Sequence, residues 1–222
     1  MNYLTPEKSY FIAELKELYE SKKEEIKDRL HEFKETWRHG IRKDIFKELV
    51  FCILTPMSRG RYCWDAVENM MRDGVLFNGD SALISGYLKG ARFINKKSIY
   101  IVEARKKFYF NKSVSIKNII TNIGYGYGAR EWLALNVKGI GYKEASHFLR
   151  NIGFDQNLAI LDRHILKNLR LIGVIEEIPD SLSKGKYLHI EKSMEALSKT
   201  IKIPMSHLDL VMWCKETGEI FK

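Results

Sequence analysis

Leu135-Asn136-Val137-Lys138-Gly139-Ile140-Gly141-Tyr142-Lys143-Glu144-Ala145-Ser146 is the stretch whose reading decides this chain. Two glycines separated by one residue stand between two segments of helical spacing. Glycine accepts backbone torsions that a Cβ forbids and lets the backbone come close to a ligand. The apolar Leu135, Val137 and Ile140 before Lys143, and Ala145, Phe148 and Leu149 after it, predict two packed helices and a tight hairpin over residues 131–152. The first N–H groups of the second helix lack partners within it and point outward, so its start favours an anion such as a DNA phosphate. Gly139, Ile140 and Gly141 are the candidate backbone contacts. An ordinary turn between helices also ends on a glycine. What sets this one apart is the chemistry beside it: Lys143, and then Asp162, nineteen residues further on and opening the next helix.

Working outward, helical spacing continues almost everywhere. Thr5-Pro6-Glu7 is a cap and first turn, and Phe11, Leu15, Leu18, Ile26, Leu30, Phe33 and Trp37 recur on one face of a helix over 6–37. Further helices are expected at 43–54, 61–72, 95–110, 163–172 and 186–200, with a last one from Pro204 to about Cys214. Gly74, Gly79, Gly86 and Gly90 punctuate loops, and Gly124-Tyr125-Gly126-Tyr127-Gly128 reads as an aromatic-rich break before the hairpin. No strand alternation and no repeat stand out. The expectation is an all-α fold.

The chain has 222 residues, 45% of them hydrophobic, enough for a real core. Lysine and arginine number 37 against 28 acidic residues, a net charge of +9 that suits a polyanionic partner. No signal peptide and no membrane-length apolar run are seen, so a cytoplasmic protein, associated with the nucleoid through DNA, is expected. Cys52, Cys63 and Cys214 are too few and too scattered for a disulfide framework or a four-cysteine iron–sulfur cluster, and each is expected to be a small buried residue. No His/Cys/Asp spacing suggests zinc.

The Lys138-Gly139-Ile140-Gly141 turn, Lys143 and Asp162 resemble the motif of the helix-hairpin-helix superfamily of DNA glycosylases. That resemblance implies two helical subdomains flanking a DNA-binding active-site cleft, one of them residues 42–125, the other 1–41 with 126–222 and the hairpin. It also implies that Lys143 is the nucleophile of a glycosylase that is also a lyase, and that Asp162 is the essential carboxylate. The chemistry needs these types: a carboxylate steadies the positive charge built on the sugar, and an amine attacks C1′ and ends as a Schiff base. The attacking amine must be neutral, so Lys143 is expected to be partly desolvated. Asp162 can cap its helix with one oxygen and keep the other for chemistry. The superfamily also holds a monovalent cation, potassium or sodium, through hairpin carbonyls, which implies Leu135, Val137 and Ile140 here.

Three more segments narrow the family. Phe51-Cys52-Ile53-Leu54-Thr55-Pro56, Arg92-Phe93-x-Asn95-Lys96, and the end from Trp213 to Gly218 and Lys222 resemble the compact archaeal and bacterial second family of 8-oxoguanine DNA glycosylases. By that resemblance Trp213 stacks on the extruded base and Lys222 helps to recognise it; an aromatic face suits any flipped base. The side chain filling the vacated space corresponds to Met57, where relatives often carry Asn or Gln; methionine can wedge but pairs poorly with the orphaned cytosine. Arg92 and Phe93 offer a cation and an apolar wedge for a second insertion loop. The expected partner is double-stranded DNA containing 8-oxoguanine, met by a monomer. Two other readings stay open: the same enzyme class acting on another damaged base such as an oxidised pyrimidine, and a non-catalytic DNA-binding module.

Overall fold

The computed structural model describes residues 5–111 and 113–222. Its described elements are helices: α1 Pro6–His39, α2 Arg42–Leu54, α3 Gly60–Arg72, α4 Val75–Asn78, α5 Ser81–Tyr87, α6 Ile94–Ala104, α7 Ile116–Ile123, α8 Gly126–Asn136, α9 Tyr142–Asn151, α10 Arg163–Ile172, α11 Lys184–Ile201 and α12 Met205–Thr217. The all-α expectation holds. A π-helical turn, Arg105–Phe110, follows α6, so the expected 95–110 helix changes its hydrogen-bonding pattern near its end. Arg42 gathers the carbonyls there, donating to Phe108, Tyr109, Asn111 and Val114 at 2.7–3.4 Å.

The chain forms two compact units, one running up to Phe33 and resuming at Asp155–Lys222, the other Lys34–Phe154. These divisions lie elsewhere than the expected 41/42 and 125/126. The reason is apolar burial in α9: Ala145, Phe148 and Leu149 are fully buried, and α9 packs on α8 and on α2. The hairpin therefore belongs with the middle helices rather than with the C-terminal ones. Helix α2 forms the centre of this unit, since every residue from Leu49 to Leu54 is buried. Arg105, also buried, bonds the carbonyls of Leu76 and Gly79 at 3.1 and 2.7 Å and ties the π turn to the α4 end.

In the other unit, Leu15, Tyr19, Ile26, Leu30 and Phe33 line the buried face of α1, while α12 packs on α10 and α11. Tyr19 joins His207 through its hydroxyl at 3.1 Å. The three cysteines are all buried thiols. Among the described residues no helix is long and apolar enough to cross a membrane.

Three local readings are corrected. Gly86 lies inside α5, whose start Asp80 caps by accepting the Leu83 N–H at 2.8 Å. Helix α7 was not anticipated. The Gly124–Gly128 run is only half a break: Gly124 closes α7 in the left-handed region, at φ 81°, and α8 begins at Gly126. A Cβ at Gly128 would stand 2.7 Å from Ile123 and 2.8 Å from the Tyr125 ring, so close packing explains that glycine.

Phe148→Ala would remove a fully buried ring of α9, the helix that packs on α2 and α8. We expect a loss of about 3–5 kcal/mol, read from urea unfolding midpoints. A loss below about 1 kcal/mol would show that α9 is not part of this core.

Candidate active site and DNA interface

The hairpin is built as its glycines require. Gly139 has φ +83°, and a Cβ on it would sit 2.7 Å from the Tyr100 ring. Ile140 closes the turn by donating its N–H to the Val137 carbonyl at 3.2 Å. Val137 and Ile140 are buried as expected, but Leu135 is 76% exposed; Leu133 takes the core position instead. Leu135 lies in the last turn of α8, where carbonyls have no partner within the helix. At the start of α9, Glu144 reaches back and accepts the Gly141 N–H at 3.2 Å, the capping that steadies such a terminus.

Lys143 follows at the first turn of α9. Its side chain is 22% exposed and its amine lies 3.0 Å from Glu144 Oε1. It is thus partly desolvated and ion-paired. Glu144 was not singled out from the sequence; its place directly after the lysine and three residues after Gly141 was the available signal.

Met57 and Phe93 are apolar yet 65% and 57% exposed, and Arg92 is exposed beside Phe93. Both carry positive φ, 53° for Met57 and 59° for Phe93. Side chains with a Cβ seldom adopt this conformation; it costs about 1–3 kcal/mol and persists where the surroundings enforce it. The enforcing groups can be identified. Lys97, on the inward face of α6 with Ile101 and Ala104, is 3% exposed. Its ammonium donates to the carbonyls of Leu54 and Pro56, each at 2.7 Å, and to Ser58 Oγ at 3.0 Å. Ser58 Oγ also accepts the Arg92 N–H at 3.2 Å. Burial pushes the Lys97 amine below the ordinary lysine value, with Cys63 opposing and the Lys143 charge adding to the shift. The Cys63 thiol, bonded to the Leu54 carbonyl at 3.3 Å, is pushed up to about 11 by burial against the opposing charges of Lys97 and Lys143. Lys97, Cys63 and Lys143 are therefore electrostatic neighbours in one unit.

In the other unit, Asp162 is the N-cap of α10. Its Oδ1 accepts the N–H groups of His164 at 2.8 Å and Ile165 at 2.9 Å, which leaves Oδ2 outside both bonds. Trp213 is half-buried on α12, its ring 6.2 Å from Phe221 at 35°. Ile220 and Phe221 are buried, and Lys222 places its amine 5.8 Å from the Phe33 ring. Glu216 links the two helices: it accepts from Lys167 at 2.6 Å and Asn168 at 3.1 Å, and lies 3.9 Å from His164. Burial works against that carboxylate, but the Lys167 and Asn168 hydrogen bonds and the Lys167 and His164 charges outweigh it and hold it below the usual range. Sequence reading missed Glu216. Among the described residues, no group of three or more His, Cys, Asp or Glu side chains could share a metal ion.

A family model described as 8-oxoguanine DNA glycosylase, of helix-hairpin-helix type, matches residues 26–203. A Fusobacterium nucleatum protein named 8-oxoguanine DNA glycosylase/AP lyase is 43% identical over 215 residues, 97% of this chain and 99% of its own length. The crystal structure of the 8-oxoguanine DNA glycosylase of Thermotoga maritima is similar with a TM-score of 0.86 at 32% identity, over 97% of this chain and 100% of that one. The Methanocaldococcus jannaschii 8-oxoguanine glycosylase/lyase, crystallised with a 15mer DNA containing 8-oxoguanine, gives 0.85 at 39% identity, over 95% of this chain and 99% of that one.

Asp162 allows cap and charge to be separated. Asparagine caps as well as aspartate, so Asp162→Asn should leave thermal stability within about 0.5 kcal/mol, whereas Asp162→Ala should cost about 1 kcal/mol. Equal losses in both variants, measured by thermal unfolding, would mean that the cap is not what Oδ1 supplies.

Proposed function

The chain belongs to the 8-oxoguanine DNA glycosylase family, and from that membership we propose that it excises 8-oxoguanine from DNA and then cuts the strand as an AP lyase. The observation that carries the reading is the partly desolvated Lys143 amine at the first turn of α9, directly behind a glycine hairpin whose backbone suits a phosphate.

The steps follow from the residues. Double-stranded DNA meets the protein as a monomer, with the backbone of Gly139, Ile140 and Gly141 positioning a phosphate. Its field of net positive charge favours that encounter. Met57, with Arg92 and Phe93, enters the helix as the lesion leaves it. Trp213 stacks on the extruded base and Lys222 contributes to reading it. Lys143 Nζ, having lost its proton, attacks C1′ while the N-glycosidic bond breaks and the base departs with the electron pair. The Asp162 carboxylate steadies the positive charge on the sugar. The resulting secondary ammonium gives up one of its two protons, and the nitrogen lone pair then opens the ring by expelling O4′, which takes up a proton, leaving a protonated iminium between Nζ and C1′. That iminium acidifies the C2′ proton; its removal expels the 3′-phosphate and nicks the strand. Water then releases the lysine.

A potassium or sodium ion would be held by the carbonyls of Leu135, Val137 and Ile140. The Val137 carbonyl keeps a second lone pair beyond its bond to Ile140, which suits such a ligand. Bound there, the ion would add positive charge near a phosphate. The work of the protein would lie in the cytoplasm, on the nucleoid.

Borohydride trapping on a duplex with one 8-oxoguanine opposite cytosine tests the reading. The unaltered protein should give a covalent complex and Lys143→Gln none, with lyase activity down on the order of 10³-fold or more. Asp162→Asn should lose on the order of 10²–10³-fold in excision while staying folded. Intact DNA binding without a trapped product would move the assignment to another damaged base or to a binding module.

A further inference from the structure

Resting on that functional reading, we propose that buried Lys97 is a positioning residue: it clamps the Met57 turn and, through Ser58, the Arg92–Phe93 turn into one preformed two-pronged wedge for DNA.

The stoichiometry of the bonds is complete. An ammonium has three protons, and Lys97 has three acceptors: the Leu54 carbonyl, the Pro56 carbonyl and Ser58 Oγ. Ser58 Oγ has two lone pairs and one proton. The pairs receive Lys97 Nζ and the Arg92 N–H, and the proton is directed at the Pro56 carbonyl, 3.4 Å away. Met57 sits between the two residues that Lys97 holds on either side, Pro56 and Ser58. Phe93 is next to the residue that Ser58 holds, and as the N-cap of α6 its carbonyl accepts the backbone N–H of residue 97 at 2.9 Å, the opening bond of that helix. Of the described residues, three non-glycine positions have positive φ, and two of them are Met57 and Phe93.

A buried charge is costly unless fully bonded, and this one is bonded to the end of α2 and to the turn that carries Met57, with Ser58 passing the hold on to the Arg92–Phe93 turn. A loop left floppy would have to be ordered as the base leaves, at an entropic cost to extrusion. A loop already ordered meets the helix in shape. Lys97 contacts neither base nor sugar in this scheme; it acts through Met57 and Phe93.

The test is a double-mutant cycle of Lys97→Met with Met57→Ala, read by stopped-flow fluorescence of 2-aminopurine opposite 8-oxoguanine. Borohydride trapping on a ready-made abasic site runs in parallel. Lys97→Met should slow extrusion roughly 10–100-fold, and should add less than about twofold once Met57 is already alanine. Trapping at the abasic site should fall much less than extrusion. Ser58→Ala, which leaves the ammonium on two carbonyls, should give a smaller loss of the same kind and carries the cycle even where Lys97→Met does not fold. The inference is overturned if the losses multiply independently, or if they fall on trapping, which would mean Lys97 acts on Lys143 and not on the wedge. An unaltered protein that shows no extrusion signal would sink the functional reading, and this inference with it.

Discussion

Helix α2 ends inside its unit, and this constrains everything around it. The last carbonyls of a helix have no partner within it, and a buried carbonyl cannot turn to water. Here the Leu54 carbonyl is met by a buried ammonium and a buried thiol. Lysine is well suited to the place, because a cation at a helix C-terminus also answers the negative end of the helix dipole. The same ammonium then reaches Pro56 and Ser58, so satisfying the helix end and shaping the following loop are a single act. Removing the cation would take one donor from each of these acceptors and leave the buried Leu54 carbonyl to the weaker Cys63 thiol.

Helix ends organise the other unit as well. Asp162 supplies the cap of α10 with Oδ1 alone. A carboxylate held by two backbone N–H groups has little rotational freedom, so its second oxygen points in a defined direction before any substrate arrives. Glu216 fastens α10 to α12 through Lys167 and Asn168. The helix carrying the candidate carboxylate and the helix carrying Trp213 thus move together. In both units, groups that chemistry would use are held by bonds that the fold requires anyway.

This explains what could be read in the chain and what could not. Gly139, Lys143 and Asp162 were legible because their spacing lies along a continuous stretch, and the Asp162 cap follows from local geometry. Buried faces of α1, α2 and α9 were legible from helical periodicity. Lys97 was not: a lysine normally marks a solvated face, and nothing local says that the 54–58 segment, about forty residues away, will fold over it. Its position in register with Ile101 and Ala104 was the one clue. Leu135 misled for the opposite reason, an apolar residue that faces outward. The compact units divide elsewhere than expected because the packing of α9 on α2 joins segments about a hundred residues apart, which periodicity cannot report.

In the proposed wedge, the apolar character of Met57 and Phe93 shifts the burden of selectivity. Methionine and phenylalanine fill space and stack, but neither offers the donors and acceptors that distinguish one unpaired base from another. A wedge of this kind responds to how easily a pair opens, and a damaged or mismatched base opens most cheaply. Holding the wedge rigid sharpens that response, since a preformed shape gains nothing by relaxing around a base that stays in the stack. In the proposed scheme, discrimination by hydrogen bonding is left to Arg92 beside Phe93 and to the segment assigned to the extruded base. Within the C-terminal unit, the half-buried ring of Trp213 supplies a face and no pattern. The same scheme assigns the reading of the base to polar groups around that ring, and Lys222 is anchored for it by the burial of Ile220 and Phe221.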